Sequence, residues 1–115
     1  MLLVSCVAVT CSQGPSKTTQ IVDKIRSEIS IGMSRLEVEL RLRAMPVTYV
    51  YVPWHVLSET RQETTFEGAP LSGRFDVVTP PEPQFSYMEE AAIYIELNDR
   101  EEVVNVRIDQ IGGTE

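Results

Sequence analysis

Apolar and polar positions along the chain fall into a few regular patterns, and each predicts an element. Ile21, Val22, Ile25 and Ile29 are spaced i, i+1, i+4 and i+8, with Lys24 and Glu28 pointing the other way. That single stripe predicts a helix over residues 18–29. Between positions 36 and 43 apolar and charged residues alternate strictly, the period of a half-buried strand. The local chemistry there argues for a helix instead. Ser34-x-x-Glu37 is a capping box, and Met33 and Val38 stand at the two ends of a hydrophobic staple. Glu37 and Arg41, like Glu39 and Arg43, are i,i+4 pairs with the acid on the N-terminal side. Gly32 supplies a flexible entry. A second helix over residues 35–44 follows, joined to the first by a tight Ser30-Ile31-Gly32 connection. It places Val38, Leu42 and Met45 on one side and Leu36 and Leu40 on another. Such a helix is either covered on two sides or leaves Leu36 and Leu40 for a partner.

Further on, Val47-Thr48-Tyr49-Val50-Tyr51-Val52 is β-branched and aromatic and stops at Pro53, which reads as a strand. Residues 54–62 are ambiguous: Trp54, Val56 and Leu57 either extend the sheet past a kink or fold over its edge. Glu67-Gly68-Ala69-Pro70 and Leu71-Ser72-Gly73 are turn signals. Residues 74–79 predict another strand, ended by Pro80-Pro81-Glu82-Pro83, a stiff surface loop by composition. Residues 91–97 and 103–108 flank the polar Asn98-Asp99-Arg100-Glu101 and predict a β-hairpin. Its expected core face is Ile93, Ile95 and Leu97 with Val104, Val106 and Ile108. Tyr94, Glu96, Asn105 and Arg107 take the other face. The fold class is therefore α+β: two N-terminal helices packed on one face of an antiparallel sheet of three to five strands.

The helix stretch carries a resemblance. Gly32-Met33-Ser34-Arg35, then Val38, then Leu42, resembles the G-M-[ST]-[KR]-x-x-V-x-x-x-L signature of the SmpA/OmlA (BamE-like) family of small outer-membrane lipoproteins. Arg43 stands where that family usually carries glycine. The resemblance implies a fold like that of β-lactamase inhibitor protein, two helices followed by an antiparallel sheet. It also implies a part in outer-membrane assembly or integrity.

The first ten residues, MLLVSCVAVT, are uncharged and apolar, like the end of a secretory signal. Leu3-Val4-Ser5-Cys6 fits a bacterial lipobox. Ala8-Val9-Thr10-Cys11 fits it less well, but Cys11-Ser12-Gln13-Gly14 reads like a mature lipoprotein N-terminus followed by a polar tether. Lipidation is expected at Cys11 or, less well placed, Cys6; diacylation would anchor an otherwise soluble domain. Neither cysteine has enough chain before it for a full signal from Met1, so the natural start is expected upstream, or the signal is atypical. The competing reading is two inert thiols in an N-terminal element. Residues 1–16 are assigned to signal and tether, and 17–115 to one α+β domain.

Charge and composition narrow the function. The 115 residues suit one domain, with a formal net charge of −7. Residues 1–81 hold eight acids and eight bases, so the whole excess lies in residues 82–115. This disfavours nucleic acid and anionic membrane surfaces as partners, leaving the membrane only through a lipid anchor. The acidic third is a solvated sheet face or a docking surface for a basic partner. Both cysteines lie in the first eleven residues, which excludes a disulfide framework or a cysteine zinc cluster in the domain. The single histidine, His55, has no acidic sequence neighbour and is read as structural. One histidine makes a metal site improbable, and Glu89-Glu90 and Glu101-Glu102 are read as solvated acids. No cofactor motif occurs; Gly68 to Gly73 lacks the ending of a P-loop. A non-enzymatic envelope lipoprotein acting through protein contacts is the leading expectation. An inhibitor or immunity-type module using the open sheet face is the alternative. Tyr49 and Tyr51 share one face of their strand and Val50 and Val52 the other, so one set stands open; with Trp54 the tyrosines are a possible partner surface.

Overall fold

A computed structural model describes residues 16–84 and 88–111. The expected lipidation sites Cys6 and Cys11 lie outside these residues, with the rest of the assigned signal and tether except Ser16, which is the N-cap of the first helix. Among the described residues three helices, α1 (Lys17–Glu28), α2 (Arg35–Arg43) and α3 (Trp54–Glu59), accompany six strands. These are β1 (Thr48–Pro53), β2 (Thr65–Phe66), β3 (Ala69–Val78), β4 (Glu82–Pro83), β5 (Met88–Asn98) and β6 (Val103–Ile111). The fold is α+β with an open antiparallel sheet. Four long strands run β1-β3-β5-β6; β2 pairs with β3 and β4 with β5. The two dipeptide strands lift the sheet past the expected three to five. None of the described helices is long and apolar enough to cross a membrane.

The capping chemistry sets the helix starts. The Ser34 hydroxyl accepts from the Glu37 backbone N–H at 3.2 Å, and Ser16 caps α1 in the same way through Thr19 at 3.1 Å. The reciprocal half of the capping box is not made. Glu37 instead takes Arg41 at 3.0 Å, one turn on. Local chemistry thus overrides the two-residue alternation in α2, and the alternation leaves Leu36 and Leu40 outside the core, 68% and 55% exposed. Gly32, at φ 93°, turns the chain between the helices so that its N–H donates to the Val103 carbonyl at 2.8 Å. Val103 returns a bond to Met33, and Arg35 N–H donates to Glu101. The helix connection is thereby stitched along the start of β6.

One face of the sheet builds the core. Tyr51, Phe75, Ile95 and Val106 form one cross-strand row, and Tyr49, Val77, Ile93 and Ile108 the next. Val22, Ile25, Ile29, Val38 and Leu42 pack onto these rows from α1 and α2. Ile93, Ile95 and Leu97 are fully buried, as the hairpin pattern predicts. Val104 is not their partner: a register shift between Glu96 and Leu97 sets Leu97 opposite Val103. Val103 is buried in the core and Val104 only half-buried. An extra residue in one strand moves its neighbour to the other face, which alternation alone cannot foresee.

Three further expectations change. Leu71-Ser72-Gly73 is not a turn but the interior of β3, irregular at Leu71/Gly73. The actual turn lies just before it. Glu67 and Gly68 both have positive φ and close a two-residue hairpin between β2 and β3. The proline-rich segment is partly strand, because Glu82 and Pro83 pair with Glu89 and Met88 at an edge where proline is tolerated. Residues 54–59, left open by the sequence, are helix α3, which packs against β1 and β3. Leu57 and Leu71 are buried apart from the main core.

Candidate functional site

β1 organises the surface that stands out. It is joined to β3 on one side, and no described segment pairs with its other side. Its β-branched and aromatic composition favours an extended chain, and Pro53 ends the run. Tyr49 and Tyr51 face the helices. Their rings meet Phe75 edge-on with centroids 6.1 and 5.2 Å apart. The Arg35 guanidinium lies over the Tyr51 ring at 3.7 Å and also pairs with Glu101 at 3.1 Å. The Tyr51 hydroxyl donates to the Ser72 carbonyl at 3.2 Å. A side chain at Gly73 would strike the Tyr51 ring, so the absence of one lets the ring lie flat there. Arg43, beside the Tyr49 hydroxyl and Glu39, is held above its ordinary value and stays charged.

Of the expected surface residues, Tyr49 and Tyr51 are therefore half-buried and only Trp54 is open, at 48%. Of the valine pair on β1 only Val50 stands open, 57% accessible on the face away from α1 and α2, while Val52 is half-buried like the tyrosines. The helix-motif residues divide as well. Val38 and Leu42 are core, Met33 packs against it, and Gly32, Ser34 and Arg35 make the connection to β6 and the Tyr51 contact. They build the fold; Leu36 and Leu40, one turn apart on the outer side of α2, are what it leaves open.

The second face carries a polar cluster that the sequence did not announce. Arg74 and Glu96 are adjacent on β3 and β5 and are buried, 6% and 2% exposed. Arg74 bonds Asp76, with Nη2 to Oδ2 at 3.2 Å, and donates to Gln62. The Asp76 bond holds it above its ordinary value. Glu96 accepts from Asn105 at 2.9 Å and lies 3.8 Å from Arg107, itself 3.8 Å from Glu63. The guanidiniums of Arg74 and Arg107 are 4.9 and 4.7 Å from the Tyr94 ring centre. Alternation placed Tyr94, Glu96, Asn105 and Arg107 off the core correctly, and it gave no face to Arg74 or Asp76. Gln62 and Glu63, in the segment just after α3, reach Arg74 and Arg107 on this face; a strand pattern carries no signal for that. With the charges paired and stacked, the cluster reads as a clamp for that segment.

Other features reduce to structure. His55 is exposed on α3. No group of three His, Cys, Asp or Glu able to hold a metal occurs among the described residues. A groove of about 640 Å³ runs between α1 and Pro80-Pro81, lined by Lys17, Ile21, Lys24 and Pro46. The acid at its rim, Glu82, is already engaged. Its carboxylate accepts from the Thr18 and Lys17 backbone N–H groups at 2.9 and 3.1 Å and from the Thr18 hydroxyl at 3.1 Å. Those bonds hold it below the usual carboxylate range, and its charge complements the helix N-terminus. Comparison with protein-family models, with curated proteins and with solved structures gives no match.

Proposed function

We propose that this chain is a non-enzymatic protein-contact module of the bacterial cell envelope, held at a membrane by a lipid on Cys11 or Cys6. The observation that carries the contact reading is Leu36 and Leu40. Two leucines one turn apart, both more than half exposed, form an apolar ridge on a helix otherwise well satisfied by its cap and ion pairs. Exposed apolar ridges on small domains mark contact surfaces. The envelope reading rests on the lipobox-like cysteines, the polar tether and the resemblance of Gly32 to Leu42 to the SmpA/OmlA motif. A pair of N-terminal helices on an antiparallel sheet is in keeping with that resemblance, and outer-membrane assembly or integrity is the process it suggests. The inhibitor-type alternative needs a free sheet face. It loses support because Gln62, just after α3, bonds Arg74 on that face, where Arg74 and Glu96 are buried.

Two measurements on the protein made in its own host test the two halves. Intact mass and fractionation read the anchor: a diacylglyceryl-cysteine N-terminus in the membrane fraction is expected. A cytosolic full-length chain with two free thiols refutes it. A photo-crosslinking residue at Leu40 reads the contact. A discrete adduct, lost when Leu36 becomes Glu, is expected, and no adduct beyond that of an exposed control position such as Lys24 refutes it.

A further inference from the structure

We propose that β1 is a self-pairing edge, and that two copies of this chain join antiparallel through it about a two-fold axis at Val50. This goes beyond the proposed function and uses a different surface, the free main-chain edge rather than the leucine ridge.

The first ground is the edge itself. Exposed sheet edges are normally defended by charges, proline, bulges or a covering segment. The far edge, β6, has such defences. Gly32, Met33 and Arg35 bond along its start, and Asn105, Arg107 and Asp109 follow. β1 has none over residues 48–52. Thr48, Tyr49, Val50, Tyr51 and Val52 are uncharged, their pairing with β3 is unbroken by any register shift, and proline enters only at position 53. Among the described residues the outward amides and carbonyls of this strand have no pairing strand.

The second ground names the partner. Thr-Tyr-Val-Tyr-Val is nearly a palindrome about Val50. A two-fold there sets Val50 against Val50 of the second copy, each tyrosine against the other tyrosine, and Thr48 against Val52. Aromatic pairs and β-branched pairs are the favourable cross-strand combinations, and no charge enters the register. About four to six main-chain bonds close such a seam, whichever alternate residues point outward. The tyrosines of both copies stay on the helix side. Arg35 and Arg43 beside them already have Glu101 and Glu39 as partners, so the approach leaves no uncompensated like charge.

The third ground is the charge layout. The entire net charge of −7 lies in residues 82–115, and the β5–β6 hairpin with its loop, residues 88–111, carries −5 of it on the side of the sheet away from β1. Two copies meeting through β1 keep their acidic hairpins at opposite ends. A meeting through β6 would press them together.

The test uses the full chain with Cys6→Ser and Cys11→Ser, so that neither native thiol nor lipid contributes to association. Sedimentation equilibrium is expected to show a dimer. Val50→Lys puts like charges on the two-fold while facing Asp76 within its own chain, so the monomer keeps its fold by circular dichroism. Self-association is expected to weaken by about tenfold or more. Val50→Cys is expected to give a disulfide-linked dimer on mild oxidation, because directly opposed residues bring their Cβ atoms within about 4.5–5.5 Å. Val78→Cys, exposed on the same face but one strand inward, is expected to stay unlinked. A monomer at all soluble concentrations overturns the proposal. So does a dimer indifferent to Val50→Lys, or linkage at position 78 as efficient as at position 50. None of these outcomes bears on the Leu40 crosslink, so the two readings fail separately.

Discussion

Replacing Gly73 by alanine adds one methyl group beneath the Tyr51 ring. Its Cβ would lie 2.6 Å from Tyr51 Cζ and 2.7 Å from the Val52 carbonyl oxygen, where real Cβ contacts stay above 3.0 Å. The ring cannot simply swing away. Arg35 stacks on it, Phe75 meets it edge-on, and its hydroxyl bonds Ser72. Val52 oxygen is main chain on the neighbouring strand, so relief there means moving β1 against β3. Overpacking of this kind costs about 1–3 kcal/mol. Gly73 does not occupy the left-handed region, so alanine also gains about 0.4–1 kcal/mol by restricting the unfolded chain. The net expectation is a loss of about 1–2 kcal/mol. Urea unfolding of the full chain, followed by circular dichroism, reads it directly. In a Tyr51→Ala background the ring clash is gone and only the Val52 contact remains, so the two changes should couple by about 0.5–1.5 kcal/mol. If alanine is neutral or stabilising, or costs the same without the ring, the close approach of Tyr51 to β3 is refuted.

Other expectations follow from the same packing. Ser34→Ala removes the α2 cap and should cost about 1 kcal/mol in urea unfolding; an unchanged midpoint would refute the cap. Ile95→Ala in the full core should cost about 2–5 kcal/mol, whereas Val104→Ala beside the register shift should cost well under half of that. The reverse order would restore the unbroken hairpin register. Glu82→Gln should lower the melting temperature at neutral pH. The Glu82 carboxyl has a depressed folded pKa, so its contribution is complete above the ordinary carboxylate range and disappears as pH falls through the depressed value. Melting curves of the two proteins should therefore converge in acid; a constant difference would place the effect elsewhere.

What the sequence disclosed and what it hid separate along physical lines. Local signals were legible: the Ser34 cap, the isoleucine stripe of α1, and the burial of Ile93, Ile95 and Leu97. These depend on residues a few positions apart. The displacement of Val104 was not legible, because one inserted residue in a ladder is fixed by how both strands meet the helix connection at Val103. Nor was α3, six residues whose place is set by what Leu57 finds to cover. Leu71-Ser72-Gly73 has the composition of a turn, yet Gly73 is there for the Tyr51 ring and not for chain reversal. Tyr94, Glu96, Asn105 and Arg107 were placed on the correct face but read as solvated, and Arg74 was given no face, since nothing in the strand pattern records that Gln62 reaches Arg74 there. Among the proposed contact surfaces, the exposed pair Leu36 and Leu40 was visible as a conflict between two periodicities in one segment. The open set on β1 was reduced to two choices, and the tertiary fold took neither whole: Val50 is exposed, and Val52 is half-buried like the tyrosines.

The bonds from Glu82 to the start of α1 also bear on the order in which the chain can gain structure as it is synthesised. A twelve-residue helix is marginal by itself, and α1 draws part of its N-terminal cap from a residue 64 positions later. Its apolar stripe rests on β5, later still. An emerging N-terminal half therefore has little to hold it: α1 and α2 wait for the last strands before their buried faces are covered. The faces of α1 and α2 that pack on β5 therefore stay uncovered until residues 88–98 have been made. Apolar surface left uncovered during synthesis is where an unfinished chain associates with others, and for this chain that surface is the isoleucine stripe of α1.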